Sequence, residues 1–224
     1  MKDRAAYIIG FMVVVAAVFG AGVTGVYITT QQTVRTNTDL LFQKALVDVF
    51  QLGNPAEMTP EEIAQTVRQQ IDMEETRRDP ETGWEFTLYR AYETPEQTAL
   101  KAYGFRFDGL GFWAPIEGIL AVSPDRSETV GITILQQTET PGLGGRITEP
   151  IFTRQFREGI AVTPPEEEKW LVVSKTEPEP GGPAYGRHVE AITGATQTGM
   201  AMERILNEHL ERFHRAMKNG GKET

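Results

Sequence analysis

The stretch VEAITGATQTGMAMERILNEHLERF, Val189 to Phe213, opens with small residues and two threonines and then becomes a long amphipathic run. Met202, Leu206, Leu210, Phe213 and Met217 recur three or four residues apart, so the run predicts a helix with one face on a core. Thr193 is the expected N-cap, with the helix starting at about Gly194 and with Gly194, Ala195 and Thr196 in its first turn. Backbone N–H groups in a first turn have no intrahelical partner, and the helix dipole is positive there. Such a mouth suits a phosphate, and Gly194 and Ala195 present no bulk to block it. By itself the pattern is equally that of an ordinary capped terminal helix.

Upstream, TETPGLGG, Thr138 to Gly145, directly follows a strand-like stretch around Ile132 to Leu135. Pro141 fixes one backbone angle, while Gly142, Gly144 and Gly145 permit close approach by a flat ligand. The loop lacks the lysine and the glycine spacing of phosphate-binding and dinucleotide motifs. Alone it is compatible with a tight connection. Further strands are expected at Trp84–Tyr92, Ala102–Phe107, Ile116–Val122, Thr129–Gln136 and Trp170–Lys175, with SPDRSE as a hairpin loop. Ahead of them come a helix from about Asp39, a break at Asn54-Pro55, a second helix from Thr59 to about Glu75, and turn chemistry in RRDPETG from Arg77 to Gly83. The acidic runs Glu166–Glu168 and Glu177–Pro183 read as solvated loops. The expected fold is α+β, a mainly antiparallel sheet packed by helices.

The 224 residues suffice for a sizeable core. A net charge of -9 gives no basic face, so nucleic acid is not an expected partner. There is no cysteine, which excludes thiolate zinc sites, cysteine-held iron–sulfur clusters, disulfides and thiol nucleophiles. His209 and His214 are spaced wrongly for a shared metal face, so no metal is expected; no catalytic triad or carboxylate pair stands out. At the other end of the chain, no charge interrupts Ala5 to Val34. The 22 residues Tyr7 to Ile28 rise ~1.5 Å each as a helix, about 33 Å in all, enough to cross a bilayer. The run exceeds the apolar core of a signal peptide and ends without a good cleavage site, which favours an uncleaved anchor. Lys2 and Arg4 precede it, so the rest of the chain is expected on the far side of the membrane. The expected organisation is a cytoplasmic N-terminus at 1–6, a transmembrane anchor at 7–29, a membrane-proximal helical segment with a first strand at 30–100, and a ligand-binding domain at 101–224.

ETPGLGG at Glu139–Gly145, then EAITGAT at Glu190–Thr196 and a terminal helix, all behind one N-terminal anchor, resembles the FMN-binding domain family. GFWAPIEGILAV, Gly111 to Val122, also resembles the segment before the glycine loop in the C subunits of sodium-translocating NADH:quinone oxidoreductases; the G subunits of Rnf complexes are related. The resemblance runs from about Tyr103 to the end. It implies a flavoprotein and phosphoprotein in which FMN is joined through its phosphate to Thr196, with Thr193, Gly194 and Ala195 around the linkage. A separate flavin transferase using FAD and magnesium would make the bond. Glu190 and Thr198-Gly199 stand where the family more often has aspartate and Thr-Ser. Glu139, Thr140, Gly142, Leu143 and Gly144 would line the ring, with Trp113 nearby. The implied role is electron relay in a bacterial inner-membrane, ion-translocating complex, from the periplasmic side and with other membrane subunits as partners. The alternatives are an FMN-binding regulatory module and a redox-silent structural subunit.

Overall fold

The computed structural model describes residues 2–164, 169–182 and 184–219. The run Glu166–Glu168 and Pro183 lie outside the described residues. The chain divides into two compact units, 1–41 and 42–224, the division falling inside helix α1, Lys2–Val49. In the first unit, Tyr7–Gln31 is long and apolar enough to cross a membrane, and none of it is buried.

The second unit is built on a five-stranded antiparallel meander, β1 (Ile71–Arg78), β2 (Glu85–Tyr92), β3 (Leu100–Leu110), β4 (Pro115–Val122) and β5 (Thr129–Gln136), in spatial order β1 to β5. The expected break near residue 100 therefore falls between two strands that pair, Tyr89 with Gly104 and Ala91 with Ala102. Residues 42–100 share one compact unit with residues 101–224 because the sheet cannot be cut there without exposing a hydrogen-bonded edge.

One face of the sheet carries Phe86, Leu88, Phe105, Phe107, Leu120 and Ile132. Helix α4, Thr196–Asn219, covers it with Met202, Leu206, Leu210 and Phe213, and the rings of Phe105 and Phe213 stack at 4.6 Å. At and just past the end of α1, Leu46, Val47, Val49 and Phe50 are fully buried, with Phe50 against β3 and Val49 against β5. A Cβ on Gly104 would lie 2.5 Å from the Phe50 ring, so that contact requires glycine. Helix α2, Pro60–Gln70, starts as the sequence predicts: Thr59 and Glu62 form a reciprocal capping box behind Pro60.

Several boundaries differ from expectation, the first being that the helix expected from about Asp39 is the end of α1 and not a separate element. Helix α2 ends at Gln70 rather than near Glu75, and the chain turns straight into β1. Ile71 pairs with Ala91 and Glu75 with Leu88, while Arg90 on β2 forms ion pairs with both Asp72 and Glu75. Long-range pairing overrides the helical propensity of the DMEET stretch. Arg77 and Arg78 likewise belong to β1, and the turn is confined to Asp79–Gly83. Beyond β5 the chain makes a 3-10 turn (Gly144–Thr148), a short helix α3 (Pro150–Thr153), and the parallel pair β6 (Val172–Ser174) and β7 (His188–Glu190) before entering α4.

Two buried histidines lie on α4. His209 donates from Nδ1 to the Ile205 carbonyl at 2.9 Å and accepts from the Asp108 N–H at 3.4 Å, the neutral tautomer. Burial holds the His214 imidazolium down, to about 4, helped by the charges of Arg126 and Lys218; its Nε2 has no hydrogen-bond partner and its ring packs on Trp170 at 4.3 Å. A lowered folded pKa means that the unfolded chain binds the proton first. The stabilisation is then complete above about 6.5 and is lost as pH falls towards 4, on the order of 2 to 3 kcal/mol. Urea unfolding of the detergent-solubilised chain at pH 7.0 and pH 4.5 checks this, and His214→Phe, which cannot titrate, should shrink the difference to the part left by His209, which burial also pushes down.

Candidate functional site

The glycine loop and the mouth of α4, far apart in sequence, meet in one cleft of about 230 Å3. Its lining includes Glu139, Thr140, Leu143 and Gly144 from the loop and Gly194, Ala195, Thr196, Gln197 and Thr198 from the helix side, with Phe112 from the β3–β4 connection. Phe112 and Leu143 are half-exposed and give the cleft apolar walls. Thr196 is exposed, and it is the first residue of α4.

The start of α4 corrects the expected cap. Gly194 has a φ of +83°, and the Ala195 N–H closes a turn onto the Ile192 carbonyl. The first helical bond runs from the Gly199 N–H to the Ala195 carbonyl, so Ala195 and not Thr193 occupies the cap position. A left-handed residue cannot lie inside an α-helix, which is why the helix begins two residues late. Thr193 is an exposed turn residue outside the cleft lining. A Cβ on Gly194 would also touch the Leu143 side chain at 3.0 Å. The amides of residues 196 to 198 precede the first helical bond and open on the same end as the Thr196 hydroxyl, which is the donor set a phosphate needs.

Loop geometry comes from backbone bonds: the Leu143 and Gly145 N–H groups both donate to the Thr140 carbonyl, at 3.1 and 3.0 Å. Gly142, φ +75°, makes the bend but does not line the cleft. Trp113 is 65 % exposed, edge-on to Phe112 at 5.0 Å, and it too is absent from the lining; it contributes its backbone N–H, which donates to Glu139. Glu139 is buried under the cleft. Its Oε1 accepts from the Phe112 and Trp113 amides at 2.8 and 3.1 Å, and its Oε2 from the Thr198 hydroxyl at 2.7 Å.

Sequence reasoning passed over Phe112, Gln197 and Thr198. Thr198 was findable, since it lies in the first turn of α4 and helical side chains lean toward the N-terminus; Phe112 depends on how the β3–β4 connection folds over. Gly144 is buried where a Cβ would overlap the Thr198 hydroxyl and lie 2.9 Å from Glu139 Oε2. Gly144→Ala should therefore cost about 1 to 3 kcal/mol, the range for overpacking a tight site. Chemical unfolding of the variant measures it, and an unchanged midpoint would mean the loop yields.

Residues 111–211 match the FMN-binding domain. That segment holds every residue of the cleft, so the match supports FMN as the cofactor. The C subunit of the Na(+)-translocating NADH-quinone reductase of Pasteurella multocida is 38 % identical over 93 residues, which cover 41 % of this chain and 34 % of that relative. Its Vibrio campbellii counterpart is 33 % identical over 95 residues, 42 % of this chain and 35 % of its own length. The chain thus spans about a third of these two relatives in the matched region. The fold resembles NqrC of Shewanella oneidensis, with a TM-score of 0.62 at 16 % identity over 80 % of this chain and 97 % of that structure. It also resembles the corresponding protein of Parabacteroides distasonis, with a TM-score of 0.65 at 18 % identity over 84 % and 96 %. The fold likeness agrees with the α+β architecture.

Proposed function

We propose that this chain is an electron-carrying subunit of a sodium-translocating NADH:quinone reductase-type membrane complex, with FMN joined through its phosphate to Thr196. The observation that carries the reading is the meeting of the PGLGG loop and the Gly-Ala-Thr helix mouth in one cleft, with an exposed threonine hydroxyl at its edge. The relatives described above are C subunits of such reductases, which favours that complex over the Rnf type.

Bound FMN supplies one- and two-electron chemistry at a potential that its surroundings tune. The chain's own residues do the rest. The α4 first turn offers amides and a positive dipole end to the phosphate, worth ~0.3 to 1 kcal/mol for the charge that remains in a diester. Leu143 and Phe112 give apolar cover, and Gly144, Gly194 and Ala195 leave room for the group. In attachment, the Thr196 oxygen bonds to the FMN-side phosphorus of FAD. The pyrophosphate bond breaks, AMP leaves with the bonding pair, and the hydroxyl proton passes to a base supplied by a flavin transferase. The Tyr7–Gln31 segment would anchor the subunit in a bacterial inner membrane, with the unit from 42 onward on the extracytoplasmic side, consistent with Lys2 and Arg4 ahead of the apolar run. A span without internal charge offers no ion path, so ion movement falls to partner subunits.

Intact mass and in-gel flavin fluorescence after denaturation, on chain produced with a flavin transferase, test the reading. A mass gain of one FMN with fluorescence that survives detergent denaturation supports it. An unmodified chain beside an active transferase would point to non-covalent binding or a structural role.

A further inference from the structure

The sequence reads Glu139 as a polar contact for a flavin ring, but its carboxylate is occupied by protein. It is only 5 % exposed and takes three hydrogen bonds from two other segments, the β3–β4 connection and the first turn of α4. Both neighbouring glycines are cut to fit it: a Cβ on Gly111 would lie 2.5 Å from Oε1, and one on Gly144 2.9 Å from Oε2. Its own N–H donates to Gln137 Oε1 at 2.6 Å, which fixes the backbone entering the loop. Buried carboxylates that accept several donors are geometrically demanding, since each charge-assisted bond is stronger than a neutral one.

We propose that Glu139 is the positioning residue of this site. It ties the glycine loop to Thr198, and thereby holds Thr196, two residues earlier in the same turn, at the edge of the cleft. Through the Phe112 and Trp113 amides it holds the β3–β4 connection that brings Phe112 to the cleft. It acts through these groups and does not itself bind the cofactor. The consequence for flavin rests on the reading that Thr196 carries FMN; the clamp itself does not.

Two substitutions separate geometry from charge. In Glu139→Gln the amide oxygen still accepts from the two backbone N–H groups, and the NH2 donates to Thr198, whose hydroxyl reverses its role. Glu139→Ala leaves all three donors without an acceptor. Hydrogen–deuterium exchange on the flavin-free full chain in detergent reads the clamp directly. Losing charge-assisted bonds should speed exchange about tenfold or more at residues 111–114 and 196–199 in the alanine variant, with glutamine close to native. Thr198→Val should speed only the helix-side stretch, and it decides the matter if Glu139→Ala does not fold. Covalent loading, followed by intact mass with FAD, magnesium and a flavin transferase, should slow about tenfold in Glu139→Ala and recover in Glu139→Gln. Native-like exchange in both Glu139→Ala and Thr198→Val would overturn the proposal. So would equal loss of loading in the alanine and glutamine variants, which would assign the role to the charge. A native chain that takes no flavin from an active transferase would sink the Thr196 assignment alone, leaving exchange to decide the clamp.

Discussion

Thr196→Ala should carry no covalently bound flavin while folding as the native chain does. Thr196 is exposed at the first position of α4, so its removal opens no cavity. Ala195, not Thr196, occupies the cap, and the helix's first bond joins two backbone groups. Alanine is also the best helix former, so the stability change should stay within about 0.5 kcal/mol. The effect on flavin is then all-or-none because a methyl group has no oxygen to bond to phosphorus. Thr196→Ser keeps that oxygen and should keep the flavin. The measurement is fluorescence on a denaturing gel together with intact mass. A fluorescent band in Thr196→Ala would reassign the acceptor, and Thr193 in the adjoining turn would be tested next.

The largest stability loss is expected at the opposite end of the same helix. Asp79, in the β1–β2 turn, is fully buried, and Arg215 of α4 meets it with two nitrogens at 3.1 and 2.8 Å. The Thr82 hydroxyl at 2.6 Å and the Glu81 amide at 3.2 Å complete its shell. The Arg215 hydrogen bonds hold the Asp79 carboxyl well below the usual carboxylate range. A depressed carboxylate contributes above its unfolded pKa of about 3.9 and is lost only as pH falls through the lower folded value. The pair is therefore intact at pH 7 and through the interval in which His214 titrates. Asp79→Ala removes the acceptor for all of these donors at once, and breaking one side of a buried pair costs about 3 to 5 kcal/mol. Arg215 is partly exposed and keeps Glu211 and Glu81 as partners, which argues for the lower end. Against a typical stability of about 5 to 15 kcal/mol, that is a large fraction. Urea unfolding at pH 7 measures it, and a midpoint within error of native would show that the turn holds without its carboxylate.

Much of this was readable because the signals are local. Strand β2 alternates apolar and polar residues, β4 is a short apolar run, the capping box at Thr59 is written within four residues, and the buried face of α4 follows helical spacing through Met202, Leu206, Leu210 and Phe213. What escaped was decided by partners distant in sequence. Residues 71–75 look helical until Arg90 arrives beside Asp72 and Glu75. The parallel pairing of Val173 with Val189 joins two three-residue strands too short to show a period. At the candidate site the residue types were legible and their division of labour was not. Glu139 reads as a ligand contact because acidic residues beside glycine loops are often exposed, yet the fold buries it and spends it on two amides and a hydroxyl. The positive φ of Gly194 delays α4, and the Leu143 side chain beside it comes from a loop about fifty residues earlier, which no local pattern reports.

Helix α4 carries Thr196 at one end and the Asp79-bound Arg215 near the other, nineteen residues along, which at helical rise is about 28 Å. A cofactor on that first turn would be mounted on a stiff rod seated in the core, not on a swinging loop. Its distance to an electron donor or acceptor would then be changed by moving the whole 42–224 unit, and the lever for gating such a carrier would lie outside the cleft.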